Sequence, residues 1–152
     1  MPYFADQIQS IAGRRASVAR DGERLLPGHM LIAPGEGHIR LKRIGGDVRI
    51  RLDPTPAATL CMPSVDPMFE SLAEVYGTRG VAVVLSGMGR DGTIGAKAIA
   101  QVGGEILVQD APTSVVWGMP GSVAEAGVAS AVLPPARIMD RILARAGDGH
   151  WN

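Results

Sequence analysis

Five consecutive apolar residues, Val81-Ala82-Val83-Val84-Leu85, run directly into Ser86-Gly87-Met88-Gly89-Arg90-Asp91-Gly92 and then into a helical pattern from Thr93 to Val102. An uninterrupted apolar strand suits a parallel sheet covered on both faces, where every side chain leaves water. The strand–glycine loop–helix order makes a βα unit, and such units dictate right-handed crossovers. The strand Ile106–Val108, a short helix from Pro120 to Ala126, the strand Val128–Leu133 and a final helix opened by Pro135 continue the alternation. The pattern predicts an α/β chain: doubly wound and three-layered, Rossmann-like, with a mostly parallel sheet and helices on both faces.

The first half reads differently. Phe4, Ile8 and Ile11 are spaced for a short helix that stops at Gly13. Met30–Ala33 is a strand, ended by Pro34-Gly35. Ile39–Arg43 and Val48–Leu52 alternate apolar and basic residues about Gly45-Gly46-Asp47, which predicts an antiparallel hairpin within the stretch Met30–Leu52. Arg40, Lys42, Arg43, Arg49 and Arg51 are assigned to its wet face; a solvated face is the simpler reading, a docking surface the other. Ser64 is placed to N-cap a helix bearing Val65, Met68, Phe69, Leu72, Val75 and Tyr76, with Pro67 in the first turn, and Gly77 ends it.

Composition narrows the function classes. Fifteen Lys and Arg balance fifteen Asp and Glu, and aromatics are 4%, so neither a basic nucleic-acid footprint nor a stacking platform is present. The single cysteine, Cys61, excludes an internal disulfide and a cysteine metal cluster. His29, His38 and His150 give no metal-ligand spacing; no metal and no cofactor is expected. No apolar run has the length of a membrane span, and no signal peptide is read at the start. Membrane insertion is therefore not expected, and the cytoplasm is the expected location.

The glycine loop is the place for chemistry, because sites in parallel sheets lie at the C-terminal strand ends. Three readings stand. Gly87, Gly89 and Gly92 satisfy G-x-G-x-x-G, with Asp110 about twenty residues on, the pattern of a dinucleotide loop; but Asp91 would then set a carboxylate beside a pyrophosphate. Asp91 can instead be the acid that orients a histidine in a hydrolase triad, with the N–H groups of Met88 and Gly89 forming an oxyanion hole. Or Asp91 simply caps the following helix. No serine stands in a G-x-S-x-G elbow. His38, after Ala33-Pro34-Gly35-Glu36-Gly37 and placed at a hairpin tip, is a candidate to face the cleft; a solvated loop histidine is the plainer reading. Cys61 is a packing residue or, less readily, a nucleophile.

Several segments, in order, resemble the chemotaxis protein-glutamate methylesterases (the CheB catalytic domain). They are Leu31-Ile32-Ala33-Pro34-Gly35-Glu36-Gly37-His38, Pro63-Ser64-Val65-Asp66-Pro67-Met68-Phe69, Gly80 to Gly92, Gln101-Val102-Gly103-Gly104, Val108-Gln109-Asp110 and Ser114 to Pro120. The resemblance implies hydrolysis of glutamyl methyl esters on the cytoplasmic helices of chemoreceptors, deamidation of receptor glutamines in many members, and a Ser-His-Asp triad. By that resemblance Asp91 is the triad acid and the Met88 backbone belongs to the oxyanion hole; Gly87, Gly89 and His38 are candidates for the substrate cleft.

The chain also departs from the family. It has no Gly-Ala-Ser-Thr-Gly-Gly-like segment and no Gln-His-Met-Pro; no receiver domain is read in these residues; and Cys61-Met62 stands where the family often carries a basic residue or histidine. The expectation is an N-terminally truncated domain. Residues 1–146 would be its C-terminal major part, without the leading strand and helix, and 147–152 a frayed tail. Such a chain is expected to be inactive alone, unless Ser86 or Ser114 with His38 replaces the missing pair, and to self-associate through an exposed sheet edge. The alternatives are a non-catalytic receptor-binding relative and a dinucleotide-binding domain.

Overall fold

The computed structural model describes residues 1–147 of the 152. Helix α1 (Pro2–Ala12) is followed by β1 (Ala16–Val18), β2 (Met30–Ile32), β3 (His38–Ile44), β4 (Asp47–Asp53) and α2 (Val65–Tyr76). Then come β5 (Val81–Val84), α3 (Thr93–Gln101), β6 (Glu105–Gln109), α4 (Met119–Glu125), β7 (Ala131–Leu133) and α5 (Pro135–Gly147). The α/β class and the helix positions follow the sequence pattern. Of the expected tail, Gly147 ends α5, and 148–152 lie outside the described residues.

The parallel strands form two sets: β1 pairs with β2, and β5-β6-β7 run in that order, with Val81 opposite Glu105 and Leu107 opposite Ala131. Strand β1 is absent from the sequence reading. At three residues it is too short to show a period, and it exists because Met30–Ile32 supplies its partners. Met30–Ile32 therefore stands outside the hairpin, which occupies His38–Asp53 and turns at Gly45-Gly46.

One face of β5-β6-β7 is closed by α2, α3 and α4. Phe69, Ala73, Ala82, Val84, Ala96, Ile99, Ile106, Val108 and Val123 form the principal core. Along β6 alternate residues face opposite ways, so Glu105 and Leu107 face the other side. There Arg141 and Arg145 of α5 meet the Glu105 carboxylate, each at 2.9 Å. Helices thus lie on both faces. The uninterrupted apolar run overstates the cover on β5, however: Val81 and Val83 are half-buried and Leu85 is exposed beyond the strand end.

The hairpin register sets Arg40 opposite Arg51 and Lys42 opposite Arg49, while Arg43 falls opposite Val48 on the other face. Placing Arg43 with the rest was thus a misreading, caused by the break in alternation at Lys42-Arg43. Like charges face to face destabilise a hairpin, and carboxylates from the ends of β4 and from neighbouring segments offset them. Arg40 meets Asp53 at 3.0 Å and Glu70 at 3.3 Å, Arg49 meets Asp47 at 3.5 Å and Arg51 meets Asp21 at 3.6 Å. This is a compensated face.

Asp53 is held well below the ordinary carboxylate range, at about 2. Hydrogen bonds from the Thr55 side chain and backbone are the main cause, opposed by burial, and Arg40 adds to them. Since the folded value lies below the ordinary 3.8, the group stabilises the fold above that value, and the contribution disappears as pH falls toward 2. Asp53→Asn is expected to flatten the acid limb of a stability–pH profile between those limits and to leave the limb above pH 5 parallel to wild type. Urea unfolding at stepped pH measures this.

Candidate active site

The loop after β5 is shaped by glycines in two ways. Gly89 and Gly92 have φ of 97° and 96°, in the left-handed region that disfavours side chains. Gly118 instead answers a close approach, since a Cβ there would lie 2.8 Å from the Gly87 carbonyl oxygen and 2.9 Å from the Gly89 nitrogen. The Gly118 and Met119 N–H groups donate to the Gly87 carbonyl at 3.1 and 2.8 Å, and Gly87 N–H donates to Val116 at 3.0 Å. Residues 116–119 thus clamp the loop. Gly118→Ala is expected to cost about 1–3 kcal/mol, seen as a fall in Tm of roughly 3–10 °C in a thermal melt.

Buried Gln109 ties this clamp to the sheet. Its Oε1 accepts from Ser86 N–H at 2.7 Å, its Nε2 donates to the Thr113 carbonyl at 2.9 Å, and its own carbonyl accepts from Trp117 Nε1 at 2.8 Å. Sequence reasoning placed Gln109 only within a motif; a single polar residue ending an apolar strand was the available signal.

These contacts account for the glycine pattern without a nucleotide. Asp110, the acid a dinucleotide loop requires, accepts instead from the Thr113 N–H and hydroxyl within its own turn, at 3.3 and 2.5 Å.

Asp91 is 6% exposed. It does not cap α3, whose N-cap is Gly92 with no side-chain bond. The carboxylate turns to the start of α2. Oδ2 accepts from Val65 N–H at 2.7 Å, and Oδ1 accepts from the Ser64 hydroxyl at 2.5 Å and from Thr59 Oγ1 at 3.2 Å. An anion there meets the positive end of the helix dipole and satisfies N–H groups the helix cannot. Ser64 caps α2 as its sequence predicts, accepting from Asp66 N–H at 3.2 Å; its bond to Asp91 needed the tertiary structure.

Met88 lies at the outer bend of the same loop and is 84% exposed. Among the described residues, no acceptor takes the Met88 or Gly89 N–H.

His38 is neither a cleft residue nor a solvated one. It opens β3, at the end of the hairpin opposite the turn, and is fully buried. Its Nδ1 accepts from Ser64 N–H at 2.8 Å, and its Nε2 donates to the Thr55 carbonyl at 2.8 Å. Both ring nitrogens are committed, so His38 holds the loop 54–63 against α2 and has no lone pair for a base's work. The plain sequence reading erred because a Gly-Glu-Gly-His run looks like an exposed tip.

Ser86 and Ser114 do not complete a triad with it. Ser86 Oγ exchanges hydrogen bonds with the Val116 backbone, and Ser114 Oγ donates to the Asp110 carbonyl at 2.7 Å. A serine–histidine contact does exist elsewhere, between Ser17 Oγ and His29 Nε2 at 2.9 Å, but among the described residues no carboxylate meets the His29 ring. Cys61 is exposed. Among the described residues, no three His, Cys, Asp or Glu are grouped to hold a metal, and no helix is long and apolar enough to cross a membrane.

Comparison with known proteins agrees with this architecture. The profile of the CheB methylesterase family matches residues 1–142. The protein-glutamate methylesterase/protein-glutamine glutaminase 2 of Caulobacter vibrioides is 48% identical over 144 residues, covering 94% of this chain and 42% of that protein. A protein-glutamate methylesterase/protein-glutamine glutaminase of Maricaulis maris is 50% identical over 134 residues, covering 87% of this chain and 33% of that protein. The crystal structure of the Thermotoga maritima CheB methylesterase catalytic domain superposes with a TM-score of 0.90 at 38% identity, covering 94% of this chain and 76% of that one. The chain thus spans less than half the length of these two relatives. With the profile, the sequence identity and the superposed fold in agreement, this chain belongs to the CheB methylesterase family.

Proposed function

We propose that this chain is the acid-bearing part of a protein-glutamate methylesterase site, acting in the cytoplasm on glutamyl methyl esters of chemoreceptor helices and, on the same site, on receptor glutamines. The observation that carries the reading is the placement of a buried aspartate beside a loop with uncommitted backbone N–H groups at the C-terminal end of a parallel strand. In this reading Asp91 is the triad acid, which orients a histidine and stabilises its protonated form. Its bonds to Val65 N–H and Ser64 preorganise the carboxylate, so that little is lost to reorganisation during reaction. The Met88 N–H, helped by that of Gly89, receives the oxyanion as the ester carbonyl becomes tetrahedral. Gly87 and Gly89 let the backbone approach the substrate.

The nucleophilic serine and the histidine are supplied from outside the described residues, because none of the serines and histidines within reach of Asp91 forms the pair. The serine attacks the ester carbon, the histidine takes its proton and returns it to the departing methoxide, and methanol leaves; water then repeats the cycle on the acyl-enzyme. The β5 edge, unpaired among the described residues in the order β5-β6-β7, is a place where self-association of the isolated chain would occur.

Methanol release from a methylated receptor fragment tests the proposal. The protein as its native host makes it is expected to release methanol, and the 152-residue chain alone is not. A natively made protein that binds the fragment without releasing methanol would overturn the hydrolytic reading in favour of a non-catalytic receptor-binding relative.

A further inference from the structure

Beneath Asp91 lies a second carboxyl group that the triad reading leaves without a task. Asp66, in the first turn of α2, is 4% exposed. Its Oδ1 accepts from Gly95 N–H in the first turn of α3 at 2.8 Å. Its Oδ2 is fully buried and has no partner among the described residues. A buried carboxylate oxygen without a donor is costly, whereas a protonated one carries its own hydrogen to give. The acceptor at hand is the Asp91 carboxylate, whose charge acts on the Asp66 carboxyl; among the described residues no ion pair joins a basic group to Asp66.

We propose that Asp66 is a positioning residue for Asp91, its Oδ1 holding the start of α3 and its Oδ2 hydroxyl donating a hydrogen bond to the Asp91 carboxylate. The inference rests on Asp91 being the working acid. Two like-charged carboxylates in one buried site disfavour double ionisation, so one of them keeps its proton. Desolvation, then the Asp91 charge, pushes Asp66 above the ordinary carboxylate value, against the lowering pull of Gly95 and Gly92 N–H. Asp91, with donors from Val65, Ser64 and Thr59, is the better-solvated anion of the two. The groups facing the Asp66 carboxyl are Asp91 from the β5–α3 loop and the Gly92 and Gly95 N–H groups at the start of α3; His38 of β3 reaches only the Ser64 backbone.

The arrangement makes Asp66 a brace between two helices whose ends carry the site. Asp91 sits between the start of α2 and the start of α3, and Asp66 bonds to both sides of it. A neutral acid there orients Asp91 without cancelling the charge that the histidine needs, and the histidine N–H takes the position of Thr59 Oγ1, the longest of the three bonds at 3.2 Å.

Carboxyl-carbon NMR titration of the 152-residue chain tests the pairing without requiring turnover. At neutral pH the Asp66 carboxyl carbon is expected to show the chemical shift of a protonated acid, with its midpoint raised, and in Asp91→Asn that midpoint is expected to move down. A midpoint at the ordinary value, or one that Asp91→Asn leaves unmoved, overturns the pairing. The second arm uses the natively made protein. Asp66→Ala is expected to lower kcat by about tenfold, in the range for losing a group that orients a site residue, with KM unchanged. Asp66→Asn, which keeps a donor of the same shape, is expected to restore most of that loss. Equal loss in both variants overturns the positioning role. If the wild-type protein itself releases no methanol, the methylesterase reading fails, and the titration alone decides whether Asp66 gives its hydrogen to Asp91.

Discussion

Asp91→Asn in the natively made protein is expected to lower kcat for methyl-ester hydrolysis by about 10⁴-fold, with little change in KM and an unchanged far-UV circular dichroism spectrum. The neutral amide cannot stabilise an imidazolium, and its NH₂ end turns a donor toward a histidine that itself needs to donate. The structural part of the effect is smaller. The amide retains one acceptor oxygen for the three donors that converge on Asp91, namely Val65 N–H, Ser64 Oγ and Thr59 Oγ1, so the start of α2 loses about 1–3 kcal/mol of stability. The two parts separate cleanly. If Asp91 only braces α2, the variant melts early but turns over normally at a temperature where it is folded. If it is the triad acid, turnover collapses even where the fold is intact.

Gly95→Ala is expected to be the most damaging small substitution, lowering stability by about 3 kcal/mol or more and Tm by roughly 6–12 °C. A Cβ at Gly95 would lie 2.5 Å from Phe69 Cβ and 2.8 Å from the Asp66 carbonyl oxygen. Neither can step aside: Phe69 is 3% exposed at the centre of the core, and Asp66 is backbone in the first turn of α2. Alanine's better helix propensity returns only about 1 kcal/mol. Helices α2 and α3 would have to separate, and the Asp66 bond to Gly95 N–H would stretch with them. Thermal denaturation of the variant checks the stability; an unchanged Tm would mean that the two helices do not cross this closely.

Much of the fold was legible because its elements carry their own periods. Val65, Met68, Phe69, Leu72 and Tyr76 announce α2, and alternation over His38–Asp53 announces the hairpin with its Gly45-Gly46 turn. What failed lacked a local signal. Ala16–Val18 is a strand only because Met30–Ile32 lies beside it. Lys42-Arg43 hides which face each residue takes, and the cross-strand register decides it. His38 looks like a loop residue until 54–63 folds over it.

The site divides along the same line. Positive φ at Gly89 and Gly92 is a property of a single residue, so the tight turn bearing Met88 and Asp91 could be read directly. A family resemblance carried by several motifs is what gave Asp91 its proposed role. Which partners that carboxylate takes could not be read, since Ser64 and Val65 are 27 and 26 residues away along the chain. Hydrogen bonds across such separations depend on how α2 and α3 pack, and Gly95, Phe69 and Asp66 settle that in the core. The amino-acid sequence by itself determined the βα units, the glycine turn and the helix cap at Ser64, because backbone preference and side-chain period act over a few residues. Only the tertiary structure decided that Asp91 faces α2 with Asp66 beneath it and that His38 is buried with both nitrogens bound, because burial and long-range hydrogen bonding belong to the packed chain.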